Sequence, residues 1–242
     1  MVIGGMNMKY EIFGGSFPAA TVTLNAGEKV FTQSGAMMCA DASIEMSTNA
    51  EGGLLKSIGR MFSGASLMFV THTATKDNSK ITFSSAFPGT IKEFKVDGSH
   101  EYLAQKAAFL VGDPGVNVDA TINNNFWSGL LGGEGFVLQK FSGEGTILTE
   151  IDGSVQEIEL QAGESIKVET GHIALFESSV NYEVQAVKGL KNIFFGGEGL
   201  FLVNLTGPGK VWLQTLTAHD MAEKLIPYLP KQTTTINTSN ND

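Results

Sequence analysis

The residues that most often carry out chemistry are few and scattered in this chain. The histidines are His72, His100, His172 and His219, and none stands in a His-x-His or His-Glu-x-x-His spacing. Such spacings place two imidazoles on one face of a strand or helix, where they can hold a metal ion. Scattered histidines are more often surface or hydrogen-bonded residues. We therefore expect no metal site and no cofactor.

No nucleophile is recognisable either. Cys39 is the only cysteine and lies in the apolar stretch Ala36-Met37-Met38-Cys39-Ala40, so we expect it to be a small core residue. The serines lack the Gly-x-Ser-x-Gly context of hydrolases. A single cysteine also excludes an intrachain disulfide. We expect no catalytic residue.

Glu134 and Glu198 are the polar residues with the most suggestive setting, because each stands within a Gly-Gly-Glu-Gly sequence. These clusters lack the third glycine and the strand-to-helix context of a dinucleotide site. The glutamates could cap exposed amides of a glycine turn. They could instead contact a ligand at a boundary between modules, where His172 would be a further candidate.

Large apolar residues precede both glycine clusters. Phe126 and Trp127 come before the first cluster, and Phe194 and Phe195 come before the second. Apolar residues beside turns either fill the core or contact another subunit. Because a β-sandwich must protect its edges, we expect at least one set to be buried between subunits or modules.

The stretch from Leu54 to Phe62 has the apolar spacing of a helical face, with Lys56 and Arg60 on the other side. Basic amphipathic segments can lie on a membrane surface. Two cations on a short segment are also typical of a solvated face. The sequence leaves open whether residues 54–62 form a helix, a strand or a loop.

Composition limits the partners. The chain has 242 residues and a formal net charge of -9, and Arg60 is the only arginine among its 16 basic residues. Nucleic-acid binders cluster lysine and arginine against phosphates, so nucleic acid is an unlikely partner. No apolar run is long enough for a transmembrane helix, and no signal peptide is recognisable. We expect a cytoplasmic protein.

The elements that would position these residues repeat along the chain. The spelling Leu-x-Ala-Gly-Glu begins at Leu24 and again at Leu160, with a glycine eight residues after the first glycine in each copy. The glycine hairpin that begins at Gly132 returns at Gly196. Alternating apolar residues between glycine turns are typical of β-strands.

The repeats predict an all-β fold of tandem β-sandwich modules in three quasi-repeats. We place an extension at 1–7, modules at 8–80, 81–151 and 152–230, and a disordered tail at 231–242. Translation could start at Met1 or at Met8. The third module closes with a short helix, because Thr217 can cap it and Pro227 ends it.

Several of these motifs resemble a protein family that is named for altered inheritance of mitochondria. Its members are also called mitochondrial biogenesis proteins. The resemblance covers Met8 to about Pro230 and rests on the following segments: Met8–Ile12, Phe194–Phe201, Leu205–Gly209, Val211–Gln214 and Pro227–Pro230. It implies β-sandwich modules that pack edge to edge and self-associate, with a fold similar to the tryptophan RNA-binding attenuation protein (TRAP-like). It implies no activity, because the family has no settled one.

The attenuation protein binds RNA through a Lys-Lys-Arg constellation that this chain lacks. Lys188 and Lys191 are the nearest basic pair, and neither is beside an arginine. We expect a non-enzymatic homo-oligomer, with a trimer among its possible forms, that acts as a scaffold or binding module. The alternatives are an enzyme or small-ligand binder with a site between modules, and a peripheral membrane protein that uses residues 54–62.

Overall fold

A computed structural model describes residues 8–48, 69–122, 137–186 and 201–230, and more than half of these residues lie in short antiparallel strands. The first unit contains β1 (Lys9–Phe13), β2 (Ala19–Leu24), β3 (Lys29–Gln33), β4 (Met37–Ala40), β5 (Ile44–Ser47), β6 (Phe69–Ala74) and β7 (Ser79–Ser84). The second contains β8 (Gly89–Val96), β9 (Tyr102–Gln105), β10 (Phe109–Gly112), β11 (Val116–Ile122), β12 (Val137–Gly143) and β13 (Gly145–Asp152). The third contains β14 (Val155–Leu160), β15 (Ser165–Glu169), β16 (Ile173–Glu177), β17 (Asn181–Ala186), β18 (Phe201–Thr206) and β19 (Gly209–Gln214), and α1 (Ala218–Leu225) follows.

The strands pair in the same way in every unit. One ribbon has the order β2-β7-β4, β8-β13-β10 or β14-β19-β16, and a second has the order β3-β6-β5, β9-β12-β11 or β15-β18-β17. The all-β class is therefore confirmed, and its strands follow one pattern three times.

Ribbons of consecutive units join edge to edge. The pairing of β3 with β10 makes one six-stranded sheet, and the pairing of β9 with β16 makes another. The remaining ribbons stand at the two ends of the series. They are a four-stranded sheet, in which β1 is added beside β2, and the three-stranded sheet β15-β18-β17.

A bulge marks the same position in all three first ribbons. The register shifts between Met37 and Cys39, between Phe109 and Val111, and between Ile173 and Leu175. A bulge re-aims the side chains around it, so its recurrence fixes which residues correspond between units.

Three hydrophobic clusters form the core, one centred on each unit. Phe83, Phe141 and Phe176 are the largest side chains that are fully buried, and each belongs to a different cluster. Burial of such side chains is the main source of stability, since truncation of a buried phenylalanine to alanine costs about 3–5 kcal/mol.

The C-terminal helix is confirmed. Thr217 is its N-cap, and its hydroxyl accepts a hydrogen bond from the backbone N–H of Asp220 at 2.9 Å. The cap satisfies one of the free amides of the first turn. Within the described ranges no helix is long and apolar enough to cross a lipid bilayer.

Candidate functional site

An acidic residue occurs at the end of each of the equivalent strands β4, β10 and β16, and it accepts a hydrogen bond from the hairpin beside it. The carboxylates of Asp41, Asp113 and Glu177 accept the backbone N–H of Lys80, Thr146 and Lys210 at 2.8, 2.8 and 2.9 Å. A carboxylate suits this place because its charge strengthens the hydrogen bond to the amide.

Asp113 differs from its two counterparts because it is buried. Only 3% of its surface is exposed, and its Oδ1 has no hydrogen-bond partner among the described residues. Burial raises the pKa of its carboxyl to about 6, against the opposing hydrogen bond from Thr146, and the charges of Glu28 and Glu93 raise it further. A half-satisfied buried carboxyl is a candidate contact for a ligand.

Asp113 lines a cavity of about 250 Å³ between the first two units. Glu28, Asn25, Asn78 and Lys9 also line it, so the wall is mostly polar. The cavity could hold a small polar molecule that donates a hydrogen bond to Asp113. Sequence reasoning missed this site, because Asp113 stands in an Asp-Pro-Gly sequence that is typical of a turn, and its burial depends on strands far along the chain.

Strand β4 is the second unusual feature. Its counterparts β10 and β16 are buried between units, whereas all four residues of β4 are exposed. Met38 is 60% exposed, although its neighbours are apolar. The prediction that Cys39 is a core residue is wrong: Cys39 is exposed. The reason is that no described strand pairs with the outer edge of β4.

The opposite end of the series has a matching open edge. Strand β15 occupies the place of β3 and β9, yet no described strand lies beside its outer edge. The core beneath it is also less covered. In the described residues six apolar side chains are only partly buried against the third cluster (Leu103, Ile158, Ile166, Tyr182, Val184 and Leu213), compared with two against each of the others.

His72 is a buried histidine that the sequence did not distinguish. It is 1% exposed, neither ring nitrogen has a hydrogen-bond partner in the described part of the chain, and its ring packs edge-on against Phe83. Burial lowers its pKa, which favours the neutral imidazole. It occupies the core position that Phe141 and Leu205 fill in the other units.

The other histidines do not form a cluster among the described residues. His172 Nδ1 donates to the carbonyl oxygen of Gln214 at 2.8 Å, and His100 lies beside Asp97 on an exposed turn. The backbone N–H of Ser99 and the ring of His100 lower the pKa of Asp97 to about 2. No group of three or more histidine, cysteine or acidic residues is placed to hold a metal in the described ranges.

The candidate contact residues named from the sequence, apart from His172, lie outside the described residues. Phe126, Trp127 and Glu134 belong to the connection between β11 and β12, and Phe194, Phe195 and Glu198 belong to the connection between β17 and β18. Residues 54–62 lie in the connection between β5 and β6, and the predicted extension and tail are likewise outside.

Comparisons of the sequence and of the structure with known proteins show the family to which the chain belongs. The chain is 26% identical over 222 residues to an uncharacterised protein of Streptococcus pyogenes serotype M6, with 88% of each chain covered. It is also similar to the crystal structure of a Streptococcus pyogenes protein, with a TM-score of 0.75 and 25% identity over 92% of this chain and 100% of that one. The family described as Mitochondrial biogenesis AIM24 matches residues 10–216, and this chain belongs to that family.

Proposed function

We propose that this protein is a non-enzymatic scaffold that self-associates through the edges of its sheets. The observation that carries the proposal is the contrast between β4, which is wholly exposed, and β10 and β16, which occupy the same place and are buried. An exposed edge that is apolar and carries no blocking charge or proline is a surface for strand addition.

The apolar residues named from the sequence would add to this association. Phe126 and Trp127 stand in one connection between strands of a second ribbon, and Phe194 and Phe195 stand in the equivalent connection of the next unit. Their aromatic side chains are of the type enriched at the centre of protein interfaces. We propose them as contacts with a further subunit or a protein partner.

Light scattering coupled to size exclusion tests self-association. A monomer has a mass of 25.8 kDa, and we expect larger species at micromolar concentrations. A trimer is one of the forms compatible with the proposal. A single species of monomer mass from 1 to 100 µM would exclude a self-associating scaffold.

We propose a cytoplasmic protein that binds no nucleic acid. Its net charge is -9, and the ammonium groups of Lys92 and Lys210 are both held by Glu157 at 3.1 Å. Lysines that are paired with a carboxylate are less available for phosphates. Membrane contact through residues 54–62 stays a separate prediction, and co-sedimentation with anionic liposomes tests it.

A second candidate function is the binding of a small polar ligand in the cavity beside Asp113. The Oδ1 of this buried carboxyl, which has no partner among the residues that the structure describes, favours a ligand with an N–H or O–H donor. A thermal-shift screen of small amines, amino acids and polyols would detect it. We expect Asp113→Asn to abolish the shift and Asp41→Asn, at the exposed equivalent position, to preserve it. A shift that survives Asp113→Asn would exclude this site.

A further inference from the structure

We propose that β4 of one copy pairs antiparallel with β15 of a second copy, with Cys39 opposite Val168. This inference rests on the proposed self-association and names its surface and register. It follows from the two places where the chain already joins a first ribbon to a second ribbon.

The bulges show which residues of the first ribbons correspond. Val111 lies just after the bulge and pairs with Leu148, and Leu175 lies just after its own bulge and pairs with Trp212. Cys39 has the same position after the bulge of β4 and pairs with Thr82. Cys39 is therefore the counterpart of Val111 and Leu175.

The partner position on β15 corresponds to positions on β3 and β9 that are already paired. Val111 pairs with Thr32 of β3, and Leu175 pairs with Ala104 of β9. The repeated Leu-x-Ala-Gly-Glu spelling aligns Thr32 with Val168 of β15. Continuation of the same ladder places Cys39 opposite Val168, with Ala40 opposite Lys167.

The two edges suit each other in their burial as well as in register. β4 presents a row of exposed apolar side chains, and Ile166 on β15 is only partly buried although its counterparts Val30 and Tyr102 are buried. Pairing would cover both, and it would join the four-stranded and the three-stranded sheet into one sheet comparable with the two six-stranded sheets. Among the described residues, the side chains around the third hydrophobic cluster are less covered at this point than those around the other two clusters.

A second copy is the occupant because β4 and β15 of one chain end different sheets and are not hydrogen-bonded to each other. Every copy carries one edge of each kind. The contact is therefore heterologous, and copies joined in this way form a closed ring or an open chain.

The natural Cys39 makes a direct cross-linking test possible. Two differently tagged copies are co-expressed, one with Cys39 alone and the other with Cys39→Ser and Val168→Cys. Each chain then has one cysteine, so a bond within a chain is impossible. Residues opposite each other in an antiparallel pair have a Cα separation of about 4.5–5.5 Å, within the range for a disulfide. We expect mild oxidation to give a reducible dimer that contains both tags.

A control and a second pair complete the test. Gln185→Cys on β17, at the opposite edge of the same small sheet, replaces Val168→Cys and should give at least tenfold less mixed dimer. Ala40→Cys and Lys167→Cys, each in a Cys39→Ser chain, test the neighbouring register with exposed positions on both sides. Absence of mixed dimer in both pairs from a protein that light scattering shows to be associated would overturn the β4–β15 contact but not self-association. A monomer in light scattering would overturn both.

Discussion

At the scale of single residues, an acidic side chain accepts a backbone amide at the same place in each unit, and in the second unit this side chain is buried. The acids at 41, 113 and 177 all accept a backbone amide, but Asp113 alone is enclosed and keeps an oxygen without a partner in the described part of the chain. Such a carboxyl lowers the stability of the folded protein when it is ionised. The amide of Thr146 satisfies one oxygen of Asp113, and the other oxygen is the atom proposed to accept a hydrogen bond from a ligand.

The raised pKa of Asp113 predicts an unusual dependence of stability on pH. Its folded pKa is about 6 and its ordinary value is 3.8, so the folded state binds the proton more tightly than the unfolded state. The associated stabilisation is present at low pH and is lost as the pH rises through about 6. We therefore expect Asp113→Asn, which mimics the protonated acid, to stabilise the protein by about 1–2 kcal/mol at pH 7.5.

Urea denaturation at pH 7.5 and pH 4.5 measures this effect. The stabilisation by Asp113→Asn should shrink towards zero at the lower pH, while Asp41→Asn should show no such gain at either pH. Equal effects of the two substitutions at pH 7.5 would contradict the assignment of a raised pKa to Asp113.

At the scale of elements, the strands at the edges of the sheets determine where a second copy can pair. Two exposed methionines provide a matched comparison, because Met38 on β4 is 60% exposed and Met46 on β5 is 58% exposed. Met38→Glu places a charge on the edge proposed for self-association, and pairing with a second strand would remove part of that charge from water. We expect association to weaken at least tenfold in Met38→Glu.

Sedimentation velocity over a range of concentrations compares the two variants. Met46→Glu should associate within about threefold of the unmodified protein, because β5 has no role in the proposed contact. If both variants weaken association to the same extent, β4 is not the edge that matters.

The cap of α1 permits a separate test of a local element. Thr217→Ala removes the hydroxyl that accepts the Asp220 amide, and we expect a loss of about 1 kcal/mol in unfolding free energy. Thr217→Ser keeps the hydroxyl and should retain most of that energy. Thermal unfolding followed by circular dichroism measures both variants, and equal destabilisation by the two would show that the cap contributes nothing.

How far the sequence predicts these elements depends on the range of the interactions involved. The opening strand from Lys9 to Phe13, the last hairpin and the helix capped by Thr217 were predictable, because turn residues and periodicity are local signals. The exposure of Cys39 and the burial of Asp113 and His72 were not, because each depends on which strand lies alongside. An apolar stretch such as Met37–Ala40 reads the same in a core and at an interface.

At the scale of the whole molecule, the chain is a series of repeated units. At each end of the series one strand, β4 or β15, has an outer edge that pairs with no described strand. The joints inside the series bury β10 and β16, and the same geometry is available to β4 and β15 of different copies. In the proposed assembly, self-association would continue the strand pairing that already joins the units.

Hydrogen–deuterium exchange at increasing protein concentration tests the central claim most directly. Amides of β4 and β15 should become protected together as the concentration rises from below to above the association threshold, because pairing hydrogen-bonds both edges. Amides of β5 and β17, which also end their sheets among the described strands, should exchange at a constant rate. Exchange in β4 and β15 that stays fast and independent of concentration, in a protein that nevertheless associates, would contradict the account.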